Sequence, residues 1–200
     1  MTAHPLLGYV LRTTALVNGS WLAAYYLAIP LLIEREGLRG PAGSGLGAFG
    51  IVIAAYGCTN LLSTLVLGGR AVAAQPQRQM FAGGLVTGAG TAAMAAVPLL
   101  PPEWRLPALA VLAACSAIGG PMKDIPVAVL RQTRLPARDL AAGVRAYIAA
   151  SSGGALLAML IAPALAAALG PAALAGLCGL AMAATGLAGL VRHRGHREPL

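Results

Sequence analysis

Charged residues are absent from five long stretches of this chain, and that absence limits the possible folds more than any other feature. The stretches cover residues 13–33, 40–69, 79–102, 106–122 and 146–191. A helix that crosses a bilayer needs about 20 mostly apolar residues. Four of the stretches can hold one such helix each. The last can hold two, divided at Gly170-Pro171, because proline cannot continue a helix interior. The sequence therefore predicts six membrane-spanning helices.

The composition excludes a soluble domain and a membrane β-barrel. Hydrophobic residues make up 58% of the chain and charged residues only 10%, whereas soluble domains have about 25% charged residues. Barrel strands alternate apolar and polar side chains, but a segment such as Ala155 to Leu169 is apolar on every side. Alanine and leucine dominate these segments, and both favour helices. We therefore expect an all-α membrane protein, a bundle of about six transmembrane helices.

The predicted helices and their loops form a single transmembrane domain, residues 1–200. The expected helix bounds are 10–33, 45–69, 79–100, 106–130, 141–169 and 171–191. The connection from Arg131 to Leu140 is the most basic in the chain, and we expect it to be a loop. The sequence shows no convincing internal repeat.

The arginines divide unequally between the two sides of this arrangement. One side receives Arg12, Arg70, Arg78, Arg131, Arg134, Arg138, Arg145, Arg192, Arg194 and Arg197. The other receives Arg35, Arg39 and Arg105, which Glu34, Glu36 and Glu103 offset. Because cytoplasmic loops carry an excess of Lys and Arg, both termini are expected in the cytoplasm. The scarcity of lysine beside abundant alanine and glycine is typical of a GC-rich bacterial genome, so we expect the bacterial inner membrane.

Motifs for catalysis, cofactor binding or metal binding do not stand out in the sequence. It has no HExxH, GxSxG or Walker A pattern, and its three cysteines lie singly inside predicted helices. The net charge of +8 collects beside the membrane rather than on a face that could bind nucleic acid. We therefore expect neither an enzyme nor a bound cofactor or metal, and no nucleic-acid partner.

Polar and aromatic side chains recur on one face of each of the first two helices. Asn18, Trp21 and Tyr25 lie three and four residues apart, and Tyr56 and Asn60 lie four apart. Each set therefore shares a helix face. In hydrocarbon such a face leaves hydrogen-bonding groups unsatisfied, so both faces are expected to turn towards other helices or a watery cavity. Two interpretations stay open: contacts that hold helices together, or the lining of a substrate path.

Lys123 and Asp124 are the one acidic–basic pair inside a predicted span. A charge at the bilayer centre costs at least ~2.5 kcal/mol, so such residues are usually paired and functional. Lys123 could also extend to the cytoplasmic interface. The shorter Asp124 is expected to pair with Lys123, Arg131 or Arg145. A structural ion pair and a direct part in transport are both kept as interpretations.

The fourth helix and the residues after it resemble a known family. Gly119-Gly120-Pro121-Met122-Lys123-Asp124-Ile125-Pro126 is followed by Gln132, Pro136, Arg138, Gly143 and Arg145. This order is similar to the tenth-to-eleventh helix region of major facilitator superfamily transporters. The whole chain resembles the C-terminal six-helix half of such a transporter, nearest to the drug and metabolite efflux branches. One departure follows Gly68-Gly69-Arg70, where the chain lacks the aspartate of a loop pattern that the family often repeats.

The resemblance implies both a function and a partner. Substrate in this superfamily lies near the bilayer midplane between two six-helix halves that rock against each other, and the chain is the size of one half. It implies export of a small molecule, driven by an ion gradient, by this chain with a second six-helix half or as a homodimer in the lipid bilayer. The alternative is a non-transporting membrane protein, either a truncated transporter remnant or an assembly partner.

Overall fold

Six continuous helical spans make up nearly all of the described protein. The computed structural model describes residues 5–40, 43–68 and 76–192, and every regular element in these ranges is a helix. The spans, α1 to α6, are α1 (Pro5–Ala23, Ala24–Ala28 and Ile29–Arg35), α2 (Gly45–Gly68), α3 (Pro76–Ala93 and Met94–Leu99), α4 (Pro102–Arg134), α5 (Ala137–Leu169) and α6 (Pro171–Arg192). All six are long and apolar enough to cross a membrane. The expected all-helical fold, with six helices able to span a membrane, is confirmed.

The prediction of a basic loop from Arg131 to Leu140 is wrong. α4 stays helical through Arg134 and α5 already begins at Ala137, so only Leu135 and Pro136 connect them. The residue before a proline avoids the helical conformation, and Leu135 is accordingly extended, with φ −93° and ψ 133°. The basic side chains therefore stand on two helix ends rather than on a loop. α1, α3 and α4 also begin several residues earlier than expected.

Proline distorts two of the spans. Pro30 has no N–H to give to the carbonyl of Tyr26, four residues earlier, and its ring would clash with that carbonyl. The chain responds with a π-helical segment, Ala24–Ala28, in which the N–H of Ile29 bonds the carbonyl of Ala24. Near the end of α3, Pro98 lies in a 3₁₀ segment, Met94–Leu99. The backbone of α1 is therefore wider than an α-helix over Ala24–Ala28. The backbone of α3 is narrower than an α-helix over Met94–Leu99.

The helices pack in an order that reveals an internal symmetry. The most extensive pairs are α3 with α6 and α4, α2 with α4, and α1 with α5 and α6. Exchanging α1 with α4, α2 with α5 and α3 with α6 converts this set of pairs into itself. The units α1–α3 and α4–α6 therefore share one pattern of main helix pairs. They cross the bundle in opposite directions, because each contains an odd number of spans.

One end of the bundle collects the arginines that the sequence assigns to the cytoplasm. A hydrophobic cluster at this end includes Leu7, Phe81 and Leu130, and it joins the starts of α1 and α3 to the end of α4. At or near the same end lie Arg12, Arg78, Arg131, Arg134, Arg138, Arg145 and Arg192. Arg70, Arg194 and Arg197 lie outside the described residues.

Arg105 joins two helices at the opposite end of the bundle. The Arg105 Nη1 atom lies 2.7 Å from Oε2 of Glu36, just past α1. Its Nε and Nη2 atoms donate to the carbonyls of Leu100 (2.9 Å) and Pro98 (3.1 Å). The guanidinium thus ties the end of α1 to the carbonyls that the 3₁₀ end of α3 leaves unpaired.

Close approach of α1 and α5 depends on glycine. A Cβ atom at Gly154 would collide with the backbone of Ala15, and one at Gly19 would lie 2.6 Å from the carbonyl oxygen of Gly154. A Cβ at the neighbouring Gly153 would meet nothing within 4 Å. Small residues let helix backbones approach closely in lipid, and only Gly154 of this pair is in such a place.

We expect the two adjacent glycines, Gly153 and Gly154, to respond differently to the same substitution. Gly154→Val should destabilise the bundle by about 1–3 kcal/mol, because the added methyl groups force α1 and α5 apart. Gly153→Val should change stability by less than about 0.5 kcal/mol. Thermal unfolding of both purified variants in the same detergent tests this, and equal melting temperatures would contradict the packing.

Candidate functional site

An aromatic cluster joins α1 to α2 near the middle of the bundle. Trp21 Nε1 donates a hydrogen bond to the Tyr56 hydroxyl at 3.1 Å. The Tyr25 and Tyr56 rings meet edge to face with centroids 4.7 Å apart, and Trp21 stacks on Tyr25 at 5.5 Å. The polar faces predicted on α1 and α2 therefore meet at these three residues.

The π-helical segment places two tyrosines against the same tryptophan. Its wider turn brings residues four and five positions apart onto one side of α1. Trp21 consequently contacts both Tyr25 and Tyr26, whose centroid is 5.7 Å from that of Trp21. Tyr25 is fully buried, whereas Tyr26 is 55% exposed on the outside of the bundle. Of the two α1 tyrosines in the cluster, Tyr25 is therefore the inner one and Tyr26 the outer one.

The Tyr25 hydroxyl ends beside a polar group shared by α3 and α4. Thr91 Oγ1 and Ser116 Oγ lie 3.1 Å apart, and both lie within donating distance of the Thr87 carbonyl, at 2.9 and 3.0 Å. Tyr25 faces these two hydroxyls, which are the hydrogen-bonding groups nearest to its own. The buried end of the aromatic cluster therefore meets hydroxyl groups of α3 and α4.

Asn60 satisfies a carbonyl that proline leaves free. Pro121 in α4 has no N–H, so the carbonyl of Ala117, four residues earlier, loses its helical partner. Asn60 Nδ2 of α2 lies 3.4 Å from that carbonyl oxygen and donates to it. The polar face of α2 thus contacts α4 where Pro121 removes one hydrogen bond from an otherwise continuous helix. In hydrocarbon, a backbone group without its helical partner must be satisfied from a neighbouring helix or a cavity.

Gly120 makes room for this contact. A Cβ atom at Gly120 would lie 2.8 Å from Asn60 Nδ2 and 3.9 Å from the Tyr56 hydroxyl. Four residues further along α4, on the same helix face, the Asp124 side chain is 61% exposed. We call the surface formed by Trp21, Tyr26, Tyr56, Asn60 and Asp124 the open face.

Lys123 and Asp124 form the expected ion pair. Lys123 Nζ lies 3.4 Å from Asp124 Oδ1, and the lysine side chain is 24% exposed. Lys123 also lines a partly open cavity of about 50 Å³ together with Asn18, Tyr147 and Thr185. Asp124 is therefore the more exposed member of the pair. Whether the pair is structural or takes part in transport stays a prediction.

Two other candidates lie apart from the aromatic cluster. Asn18 donates to Ser151 Oγ of α5 at 2.7 Å, so it contacts α5 rather than α2. Arg131, a possible partner of Asp124, has its guanidinium carbon 4.4 Å above the Tyr147 ring. Of the five proposed path residues, Trp21, Tyr25, Tyr56 and Asn60 come together and Asn18 does not.

The residues of the family-like motif after α4 lie at the arginine-rich end. Gln132, Arg138 and Arg145 are exposed, Pro136 precedes α5, and Gly143 is buried. Arg138 Nε lies 3.8 Å from Oδ2 of Asp139. Within residues 5–40, 43–68 and 76–192, no three His, Cys, Asp or Glu side chains are grouped to hold a metal.

Sequence reasoning missed Thr87, Thr91, Ser116 and Gly120 as members of the site. Hydroxyl residues in a span often bond their own helix, so their type alone is a weak signal. The contact of Asn60 with α4 had a stronger signal in the sequence. Pro121 leaves a carbonyl of one helix without a donor, and Asn60 is a polar side chain in another helix that can supply one.

A double-mutant cycle tests the Asn60–Pro121 relation. Asn60→Ala alone should destabilise the protein by about 1 kcal/mol, because the Ala117 carbonyl loses its donor. In a Pro121→Ala background the restored helical N–H should satisfy that carbonyl and reduce the loss markedly. Thr64→Ala serves as control, since Thr64 Oγ1 donates within its own helix. Equal losses of melting temperature in both backgrounds would contradict the relation.

The chain matches no protein-family model and no curated protein. The major facilitator resemblance therefore rests on the residues quoted for it, and its functional consequences are proposals. The structure itself establishes an all-helical chain with six helices able to span a membrane and a polar aromatic site between α1, α2 and α4.

Proposed function

We propose that this chain moves a small molecule across the bacterial inner membrane as one six-helix body of a major-facilitator-type secondary transporter. Transport runs outward and is driven by an ion gradient. Both termini face the cytoplasm, because the arginine-rich end of the bundle belongs there. Reporter fusions after Arg39 and after Pro136 should accordingly report the outside and the cytoplasm.

The observation that carries this proposal is where glycine and proline lie in two corresponding helices. In transporters built from inverted repeats, hydrophobic segments that contain Gly and Pro in corresponding positions of the two repeats point to the binding site. α1 and α4 occupy matching places in the pattern of main helix pairs. α1 has a π segment before Pro30, and α4 contains Gly119, Gly120 and Pro121 while staying helical throughout. The aromatic cluster lies between the π segment of α1 and this part of α4.

The open face supports a second body across from the first. A carboxylate in a span is costly when it faces lipid, by at least ~2.5 kcal/mol at the bilayer centre. Asp124 is nonetheless 61% exposed, and Tyr26 beside the cluster is 55% exposed. A second six-helix body, either another copy or a separate half, would enclose this face in a water-filled cavity. Alternating access requires two bodies that move against each other.

Transport by reconstituted protein tests the proposal. We expect proteoliposomes to move at least one of three dyes, one cationic, one anionic and one neutral, when a pH gradient is applied. We also expect the particle to contain two six-helix bodies by light scattering. Gly120→Val should abolish movement, because its side chain would displace Asn60 and Tyr56. Gly50→Val, where a Cβ meets nothing within 4 Å, should retain it.

Two outcomes would contradict the proposal. A monodisperse monomer that moves a dye would exclude the requirement for a second body. If none of the dyes moves, the chain is better described as a non-transporting membrane protein.

A further inference from the structure

We infer that a groove between α1, α5 and α6 binds one anionic phospholipid, with an acyl chain in the groove and the phosphate at Arg35. The groove shares only α1 with the open face, and the inference does not depend on transport. It follows from the apolar lining of the groove, from its length and from the arginine at its end.

The groove exists because α5 and α6 both pack on α1 more extensively than on each other. Its volume is about 460 Å³. On the α1 side it is lined by the small residues Ala15, Gly19 and Ala23, so little side-chain volume fills the space between the other two helices. A space of this size is far larger than the voids that side-chain packing normally leaves.

The groove is open to hydrocarbon rather than to water. Leu157 and Ile161 of α5 and Leu177 of α6 line it and are 58%, 54% and 47% exposed on the outside of two helices able to span a membrane. Among the described residues that line it, only Ser20 and Cys178 carry a polar side-chain atom. Apolar cavities of this kind do not hold water. A hydrocarbon chain is therefore the occupant that the bilayer supplies.

The length of the groove matches one leaflet of a bilayer. It extends along α5 from Gly154 to Leu165, which is about 16 Å of helix, and half of the hydrocarbon core is about 15 Å. From Leu165 to the turn at Gly170 is about 8 Å more, close to the depth of one headgroup layer. A phospholipid in this leaflet thus has its acyl chain beside the groove and its phosphate level with the turn.

Hydrocarbon in the groove does not by itself favour one lipid over another. A lipid chain is as apolar as a leucine side chain, so its transfer from the bilayer to the groove gains packing contacts but no hydrophobic free energy. Any preference among lipids must therefore come from the headgroup.

Arg35 supplies a group that can select a headgroup. It is the last residue of α1, and its Nη1 atom would lie 2.6 Å from a Cβ atom at Gly170, the turn between α5 and α6. Gly170 has a φ of +85°, which glycine adopts readily, and its lack of a side chain leaves room for the guanidinium over the turn. Arginine binds phosphate oxygens through two parallel N–H groups.

The charge at this turn is positive. The neighbouring Glu36 is paired with Arg105 at 2.7 Å, and Glu34 lies at the start of α2, with Oε2 3.4 Å from the position of a Cβ atom at Gly45. Within the described part of the chain, the exposed Arg35 makes no ion pair. An anionic phospholipid is therefore favoured over a zwitterionic one, whose own ammonium group compensates its phosphate.

Lipid binding to the delipidated protein tests the inference. Native mass spectrometry from a non-ionic detergent counts the lipids that stay bound. We expect one phosphatidylglycerol per chain to bind saturably, and phosphatidylcholine with the same acyl chains to bind at least about tenfold more weakly. Glycerol 3-phosphate, which carries the charge without the chains, should not compete.

Four variants assign the headgroup and the acyl chain separately. Arg35→Gln should abolish the preference for phosphatidylglycerol, because the phosphate loses its partner, whereas Arg39→Gln, at another exposed arginine of the same end, should keep it. Ala181→Phe should weaken binding of phosphatidylglycerol several-fold, because the ring occupies the groove that Ala181 lines. Ala184→Phe, at an exposed position of the same helix, should have no effect.

Four results would overturn the inference. Equal binding of the two lipids would mean an unselected lipid only, and competition by glycerol 3-phosphate would mean a site for free anions. A preference that survives Arg35→Gln would place the headgroup elsewhere, and unchanged binding by Ala181→Phe would place the chain elsewhere. If Ala181→Phe does not fold, Ala181→Leu takes its place. Lipid binding as expected without movement of any dye would contradict the proposed function and leave this inference standing.

Discussion

The bilayer interior contains no water, so each polar group in a span must find its partner within the protein or in a cavity. The contact between Asn60 and the Ala117 carbonyl, at 3.4 Å, follows from this requirement. Pro121 removes one backbone donor from α4, and α2 supplies a side-chain donor in its place. The contact lies where α2 packs closely on α4, beside Gly120 and the Tyr56 hydroxyl.

The same requirement links the prolines of α1 and α4 to the site between these helices. Pro30 widens α1 at Ala24–Ala28, which brings Tyr25 and Tyr26 against Trp21. Pro121 leaves the Ala117 carbonyl without its helical donor, next to Ser116 and about two turns before Asp124. α1 and α4 occupy matching places in the pattern of main helix pairs, so the two prolines act in corresponding helices. The polar residues collect near these two positions.

The spans could be predicted from the sequence because the absence of charge over about 20 residues admits few other structures. The meeting of Trp21, Tyr25 and Tyr56 could be anticipated in part, since helical spacing shows which side chains share a face. Helical spacing does not identify the partner helix, so Asn18 was grouped with the cluster although it bonds Ser151. A proline shows that a donor is missing, but not whether the chain responds with a kink, a π segment or a borrowed side chain. The α4–α5 connection was predicted as a long loop because of its arginines, but arginine occurs at helix ends as readily as in loops.

Water access to Asp124 in the native membrane tests the central claim most directly, namely that the open face meets a cavity rather than lipid. Replacing Cys58, Cys115 and Cys178 with serine or alanine allows a single cysteine to be placed at 124. Leu180, 62% exposed on α6, provides the lipid-facing control. We predict that a small, charged, water-soluble thiol reagent labels Asp124→Cys readily and Leu180→Cys hardly at all. Equal, slow labelling at both positions would contradict the claim, because the open face would then be in contact with hydrocarbon.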